Sequence, residues 1–367
     1  MTPFTILHTE CSTGWGGQEI RIFTEMKAMR ARGHNMLLAS PSRTTIYQRC
    51  KEAGFPVFDF NDAKWVYPWT IARLTSFLRR EKVDVVNTHS SRDGWIGGLA
   101  ARLAGVPLLI RSRHIDVSYP NVRMSRLAFY YLPHAVFTTS EQISSHLVET
   151  LRLDKKNVHC VPTGIDVDFY HPDVTSTLRT ELSLPTTTPL VGVVAVLRSW
   201  KGHPFFLEAA RLILQQRPDV RFVLAGNGPT RAALEQKIAD LNLQEAVYML
   251  GHQEDVPNIL AGLDVVVLPS YAHEGIPQIL LQAMSMNRPV VGTSVGGIPE
   301  IVQHEKTGLI VPPKDPQALA SAILRLLDNR DLANSLSSQG REFILANYSI
   351  SKLCEKLEAL YSSYNIF

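Results

Sequence analysis

Short apolar runs rich in Val, Ile and Leu alternate along this chain with stretches whose apolar residues return every three or four positions. The first pattern predicts buried parallel strands and the second predicts helices laid over them, so the alternation reads as βαβ units covered on both faces. It occurs twice. The predicted strands of the first half are Phe4 to His8, Asn35 to Ala39, Val83 to Thr88, Leu108 to Arg111 and Ala135 to Thr138. Those of the second half are Leu190 to Val196, Arg221 to Ala225, Val247 to Leu250, Val265 to Leu268 and Pro289 to Gly292. Between the sets lies Pro162-Thr-Gly-Ile-Asp-Val-Asp-Phe-Tyr-His-Pro172, then a polar stretch ending in Pro185-Thr-Thr-Thr-Pro189, a composition that predicts an interdomain connection. After Leu332 no further strand is predicted, and Ile350 to Tyr361 carries helical spacing, a tail expected to pack back on the first domain. The expected fold class is therefore α/β, two Rossmann-like domains at 1–165 and 166–346 with a final helix at 347–367.

Composition narrows this picture. At 367 residues the chain is too long for one ordinary core, and with 45% apolar and 19% charged residues it is not a disordered chain. A net charge of +3 is too small to argue for nucleic acid, though it suits anionic ligands or a loose contact with an anionic membrane. Basic groups cluster at Lys27, Arg30 and Arg32, at Arg79, Arg80 and Lys82, and at Arg111, Arg113, Arg123 and Arg126; each cluster alone reads as a solvated face. Four widely spaced cysteines without a CxxC indicate neither a disulfide framework nor a zinc site, and a reducing compartment is expected. The N-terminus lacks a signal-peptide pattern and no apolar run approaches the ~20 residues of a membrane span, so a cytoplasmic protein is expected.

Candidate chemistry sits where predicted strands end, the place at which ligands of open α/β sheets bind. The first strand runs into Thr9-Glu-Cys-Ser-Thr-Gly14-Trp-Gly16-Gly17-Gln-Glu19, whose glycines would let backbone N–H groups approach a phosphate at a helix N-terminus or would simply join strand to helix. Arg198 and Lys201, in Leu197-Arg-Ser-Trp-Lys-Gly-His203, place two cations within one turn, as a diphosphate leaving group requires and as a surface loop also allows. Gly226, Asn227 and Gly228 permit close approach to a flat ligand, or a plain tight turn. The densest stretch is Tyr271-Ala-His-Glu274-Gly275-Ile276-Pro277-Gln-Ile-Leu-Leu-Gln282. There a carboxylate beside a helix N-terminus would grip sugar hydroxyls or cap the helix, and Pro277 suits the first helical turn. In the first half, His89 and Asp93 follow one strand, while Arg113 and His114 follow another. A histidine so placed serves as hydrogen-bond partner, general base or structural residue.

These segments resemble a family. EGIPQILLQAM, RPVVGTSVGGIPEIV and KTGLIVPPKDPQALASAI are similar to the donor-binding half of family-four retaining glycosyltransferases with the two-domain GT-B fold, in which the domains face each other across a cleft. LRSWKGH and LAGNGP resemble its phosphate and base loops, PTGIDVDFYHP its interdomain signature and GWGGQEIRI its N-terminal glycine loop. The resemblance implies transfer of a sugar from a nucleoside diphosphate donor, UDP foremost and GDP second, with retention and without metal or cofactor. It implies an acceptor-binding first domain and a donor-binding second one. Arg198 and Lys201 would hold the diphosphate, Glu274 the donor sugar, with N–H groups from Gly275, Ile276 and Pro277 on sugar or phosphate. His114 would approach the hexose, Gly16 and Gly17 would close over the diphosphate, and Gly226, Asn227 and Gly228 would meet the base. His89, Asp93 and Arg113 are expected on the acceptor side. Where the family's second glutamate grips the ribose, this chain has Gln282, which loses a charge-assisted contact of ~1 kcal/mol.

The acceptor implied is a glycan or a lipid-linked glycan of bacterial surface polysaccharide or lipopolysaccharide assembly, with a peripheral contact to the inner membrane face and no nucleic acid partner. Two alternatives share the architecture: a nucleotide-sugar 2-epimerase, and a non-catalytic glycan- or nucleotide-binding subunit. Asp166 and Asp168 form an Asp-x-Asp, yet they lie in the connection away from every glycine-bearing strand end, so a capping role is expected instead of a metal site.

Overall fold

The computed structural model describes residues 3–116, 119 and 121–364. The chain forms two compact units, one running to Gly164 and resuming at Ile350, the other Ile165–Ser349. Each is a parallel sheet. In the first unit the strands are β1 (Thr5–Thr9), β2 (Asn35–Ser40), β3 (Val57–Asp59), β4 (Val85–Thr88), β5 (Leu108–Arg113), β6 (Ala135–Thr138) and β7 (Val158–Cys160), in the order β3-β2-β1-β4-β5-β6-β7. In the second they are β8 (Leu190–Val194), β9 (Arg221–Ala225), β10 (Val247–Gly251), β11 (Val265–Leu268), β12 (Val290–Thr293) and β13 (Leu309–Val311), in the order β10-β9-β8-β11-β12-β13.

The near-continuous apolar runs of these strands follow from burial on both faces. Val191, Val193, Phe222, Leu224, Val265 and Val267 point into one core, while Leu190, Val223, Val266 and Leu268 point into the other. The first unit alternates in the same way, Ile6, Leu38 and Ile110 on one face against Leu7, Leu37 and Leu109 on the other.

Three short strands, β3, β7 and β13, were not predicted; each has three residues and lies at the edge of its sheet. The expected run Leu190 to Val196 ends at Val194, because beyond Ala195 the chain turns to bond its neighbour loop, Leu197 N donating to Asn227 O at 3.0 Å. The expected start at Val83 shifts to Val85, since Val83 N donates back to Leu78 O at 3.1 Å and closes the preceding helix.

The final helix, Ile350–Ser363, belongs to the first unit, so the second boundary falls at 349/350 and not at 346/347. Leu353, Cys354, Leu357 and Tyr361 enter the same core as Phe4, Ile22 and Met26. Burying such side chains stabilises by about 1.5–3 kcal/mol each. Arg32 donates to Glu358 through Nε and Nη2, both at 2.7 Å, and His34 Nε2 meets the same carboxylate at 3.1 Å. Arg32 of the first basic cluster thus clamps the last helix and is not merely part of a solvated face. Arg111, at 6% exposure, departs from that reading too.

Candidate functional site

In the second unit β8 and β11 are sheet neighbours, while β9 lies beyond β8 on one side and β12 beyond β11 on the other. The helical connections diverge there, leaving a crevice outside the carboxyl ends of β8 and β11. The loop after β8 carries Arg198 and a tight turn Ser199–Lys201, and ends at Gly202 with φ 76°, before the helix His203–Leu214. The loop after β11 carries Ser270, Tyr271 and Glu274 before the helix Gln278–Ser285. Tyr271 N donates to Trp200 O at 2.9 Å and ties the two loops together.

Across this seam Lys201 Nζ donates to Glu274 Oε1 at 2.7 Å, and Ser270 Oγ donates to the same oxygen at 2.6 Å. Glu274 is buried, yet Oε2 has no hydrogen-bond partner among the described residues and is open to a ligand hydroxyl. The N–H groups of Gly275 and Ile276 make no hydrogen bond within the described protein either, a free pair of donors beside a helix N-terminus. Pro277 has no N–H to give and stands just before the helix as its cap residue, which corrects the donor role expected for it; its carbonyl accepts from Leu280 N at 3.2 Å. Arg198 is exposed, its guanidinium 5.1 Å over the Trp200 ring, with no acidic partner among the described residues.

The remaining loops close around this pair. Gly296, with φ 58°, lies so close beneath the Glu274 carbonyl that a Cβ would sit 2.1 Å from it. Gly226 and Gly228 lie against Ala195 and Leu197, the start of the Arg198 loop, with Asn227 exposed between them. Gln282 is buried in the second turn of its helix. His203 is buried and held neutral, its pKa pushed down to about 4 by burial and then by Lys201. Asp166 caps its own turn, its Oδ1 accepting from Asp168 N and Phe169 N at 3.2 and 3.0 Å.

In the first unit the equivalent crevice lies between β1 and β4. Gly16 caps the helix Gly17–Ala31, and its N–H donates to Glu19 Oε2 at 2.9 Å. Asp93 is fully buried and accepts from Thr9 Oγ1, His89 N and Ser90 N at 2.7, 2.8 and 2.8 Å. It clamps this loop from within. His89 is buried too, with its Nε2 on His8 Nδ1 and its Nδ1 on His114 Nε2, both at 2.9 Å. Arg113 lies 5.2 Å over the Tyr119 ring. His114 is partly exposed.

Sequence reasoning missed Glu10, fully buried, whose Oε1 accepts from Cys11 N and Ser12 N at 2.8 and 2.7 Å while Gln18 donates to Oε2. Burial, then the nearby Asp93 charge, raises its pKa to about 8 from 4.5. Between those values the folded chain keeps a proton that the unfolded chain has released, so stability is lost as pH rises through 8, by at most about 1.4 kcal/mol per pH unit. His8, pushed down to about 3 by burial, adds no slope above its ordinary value of 6.5, where both states are neutral. From pH 7 to 8.5 the wild type is therefore expected to lose melting temperature that Glu10→Gln retains. Parallel melting curves for the two proteins would contradict the assignment.

Comparison with known proteins is consistent along the chain. The model described as Glycosyltransferase Family 4 matches residues 15–169, and that of Glycosyl transferases group 1 matches 174–343. The chain is 29% identical over 341 residues to an Escherichia coli UDP-Gal:alpha-D-GlcNAc-diphosphoundecaprenol alpha-1,3-galactosyltransferase, covering 85% of this chain and 87% of that protein. It is 28% identical to the alpha-D-kanosaminyltransferase of Streptomyces kanamyceticus, covering 82% of each. In fold it resembles a glycosyltransferase from Rickettsia africae (TM-score 0.89, 21% identity, 99% of each chain). It also resembles Anabaena HepE solved in complex with UDP (TM-score 0.87, 21% identity, 98% of this chain and 100% of that one).

Proposed function

From the premise that this chain belongs to the family-four glycosyltransferases of GT-B fold, and is therefore a glycosyltransferase, we propose that it moves a sugar from a UDP-sugar, with retention, to a lipid-linked glycan of bacterial surface polysaccharide assembly. The observation that carries the donor site is the Lys201–Glu274 pair across the β8–β11 crevice, with Glu274 Oε2, the Gly275 and Ile276 N–H groups and the Arg198 guanidinium uncommitted around it. Glu274 Oε2 accepts from donor-sugar hydroxyls. Arg198, Lys201 and the two N–H groups meet the diphosphate, whose charge grows as the glycosidic bond breaks; donors placed where that charge develops stabilise the transition state more than the ground state. Two fixed cations serve there in place of a divalent metal, so transfer is expected to persist in a chelator.

Retention follows from front-face attack. Glu274 is held through Oε1 by Lys201 and Ser270 and turns Oε2 to the donor-sugar hydroxyls, and Asp93 is buried and bonded within its own loop, so neither is assigned as a nucleophile; the departing phosphate oxygen takes the acceptor's proton.

The acceptor side is proposed at the first unit, which exposes Val122, Met124, Leu127 and Tyr131 on the same segment as Arg123 and Arg126, a composition suited to the inner face of an anionic membrane. No described helix is long and apolar enough to cross one.

One experiment tests the reading: purified protein with UDP-sugars and a glycan-diphosphate-lipid, in anionic or neutral vesicles, with the product's anomeric configuration read by NMR. A retained linkage formed faster on anionic vesicles is expected. An inverted linkage overturns front-face attack, equal rates overturn the membrane contact, and epimerised nucleotide sugar formed without acceptor makes the protein a 2-epimerase.

A further inference from the structure

Two arginines and one buried carboxylate meet at the carboxyl end of the first sheet, each from a different loop. Arg43 lies in the loop after β2, Asp62 in the loop after β3, and Arg92 in the first turn of the helix Ser91–Ala104 that follows β4. Arg43 Nη2 donates to Asp62 Oδ1 at 2.5 Å, and Arg92 Nη1 donates to Asp62 Oδ2 at 2.9 Å. The Asp62 side chain is 4% exposed, while those of Arg43 and Arg92 are 51% and 62% exposed.

A bridge built for stability alone needs one cation. Here the first arginine neutralises Asp62 and the second leaves a surplus positive charge. Each guanidinium carries five N–H donors in a planar fork, and each spends one on Asp62. The rest meet no other acceptor among the described residues. Both loops are pinned behind the pair: Ser42 N donates to Asp59 Oδ1 at 2.8 Å, and Thr70 Oγ1 donates to Asn61 O at 3.0 Å. Burial pushes the Asp62 pKa up, but the bonds from Arg43 and Arg92 outweigh it and hold the carboxyl below its ordinary value, so the arrangement persists through the neutral range. Cys11, just after β1, and Tyr67 both lie within electrostatic reach of Asp62 and Arg92, so the pair borders the crevice described for this unit.

The segment that follows Asp62 is aromatic. Trp65, in the turn Lys64–Val66, is 83% exposed, and Trp69, in the first turn of the helix Tyr67–Arg80, is 70% exposed. They are the two most exposed large apolar side chains among the described residues. Indoles left in water beside an anchored cation pair mark a contact surface for a ligand with an apolar and an anionic part.

We propose that Arg43 and Arg92, held in place by Asp62, bind the diphosphate of a lipid-linked acceptor, and that Trp65 and Trp69 cover the start of its lipid. This rests on the reading above in taking the acceptor to be a glycan-diphosphate-lipid. A diphosphate diester carries one negative charge and two free oxygens on each phosphorus, one pair for each fork. A phospholipid's phosphodiester offers a single pair and would leave one arginine unused. Because Asp62 already fixes both side chains, less of their rotamer freedom is lost on binding.

The test titrates geranyl diphosphate, geraniol and inorganic diphosphate calorimetrically into the full chain without vesicles. Geranyl diphosphate is expected to bind, and Arg43→Gln or Arg92→Gln each to weaken it about tenfold, the loss of one charge-assisted bond. The double variant is expected to weaken it about 100-fold; should it fail to fold, each single variant still leaves Asp62 one arginine. Trp65→Ala/Trp69→Ala is expected to weaken both geranyl probes and leave inorganic diphosphate unmoved. Equal affinity in the wild type and both single variants overturns the proposal. So does a loss shared equally by geraniol, which marks a structural ion pair, and so does an affinity lost in Lys201→Ala but kept in the arginine variants, which puts the probe at the donor crevice. Single variants that bind geranyl diphosphate normally yet no longer sediment with phosphatidylglycerol vesicles assign the arginines to lipid head groups and overturn it too. Since this binding needs no sugar transfer, an arginine-dependent affinity in a protein that transfers from no UDP-sugar upholds the diphosphate site and removes only the activity.

Discussion

Lys201→Ala is expected to lower the transfer rate by about 10²–10³-fold, the loss typical of removing one donor from a site where negative charge develops. Lys201 is the only cation bonded to Glu274 among the described residues, and it reaches that carboxylate from the opposite side of the β8–β11 crevice. Its loss removes a diphosphate contact and frees the Glu274 carboxylate from the geometry in which one oxygen is fixed and the other faces outward. Ser270 still donates to Glu274, so the fold is expected to survive with a destabilisation below about 3 kcal/mol. Glu274→Ala is expected to lose activity comparably, and the double variant only slightly more, because groups that act as a unit are non-additive. Rates and melting temperatures of the four proteins close the cycle. Additive losses, or a Lys201→Ala rate within threefold of wild type, would refute the pairing.

The second large effect comes from a residue that touches no ligand. Gly202 ends the Arg198–Lys201 turn with φ 76°, and a Cβ there would lie 1.8 Å from the Pro269 carbonyl oxygen. That oxygen belongs to the backbone of the Glu274 loop and cannot rotate away. Gly202→Ala must therefore pry the two loops apart, breaking the Tyr271–Trp200 bond and drawing Lys201 from Glu274. A loss of at least about 3 kcal/mol is expected, roughly 6–12 °C in a unit of this size, together with a rate loss approaching that of Lys201→Ala. Gly105 is the control: it has the same φ, 76°, but nothing within 4 Å of a Cβ. Gly105→Ala is expected to cost only the ~1 kcal/mol of left-handed backbone and no activity. If the two variants behave alike, the clash with Pro269 has no functional weight.

The fold was legible wherever burial on both faces wrote an apolar run into the chain, as in Val265–Leu268 or Leu190–Val194. It was illegible at β3, β7 and β13, where three residues become a strand only because a neighbour at the sheet edge supplies the hydrogen bonds. For the site, residue types at strand ends pointed to Arg198, Lys201 and Glu274. The ion pair between two of them could not be seen, because Lys201 and Glu274 are 73 positions apart and meet only through the adjacency of β8 and β11. The line of contacts from His8 through His89 to His114 was hidden for the same reason. His89 and His114 stood out singly as strand-end residues, but His8 reads as an ordinary strand position until β1, β4 and β5 are known to be consecutive in the sheet. The capping of the next helix by Asp93 was not legible either, because a carboxylate after a strand looks alike in the sequence whether or not its oxygens turn back to the loop's own N–H groups.

The claim on which the rest depends is that a nucleoside diphosphate sugar binds at the β8–β11 crevice, held by Arg198, Lys201 and Glu274. Its most direct test is the melting temperature of the wild type and of Lys201→Ala with UDP-, GDP- and ADP-sugars. At a concentration 100-fold above Kd, a ligand that binds only the folded state stabilises it by about 2.7 kcal/mol, a rise of about 5–10 °C in a unit of this size. Such a rise with a UDP-sugar in the wild type, largely lost in Lys201→Ala, is expected. No rise with any of the three, or an equal rise in the variant, would contradict a donor site at this crevice.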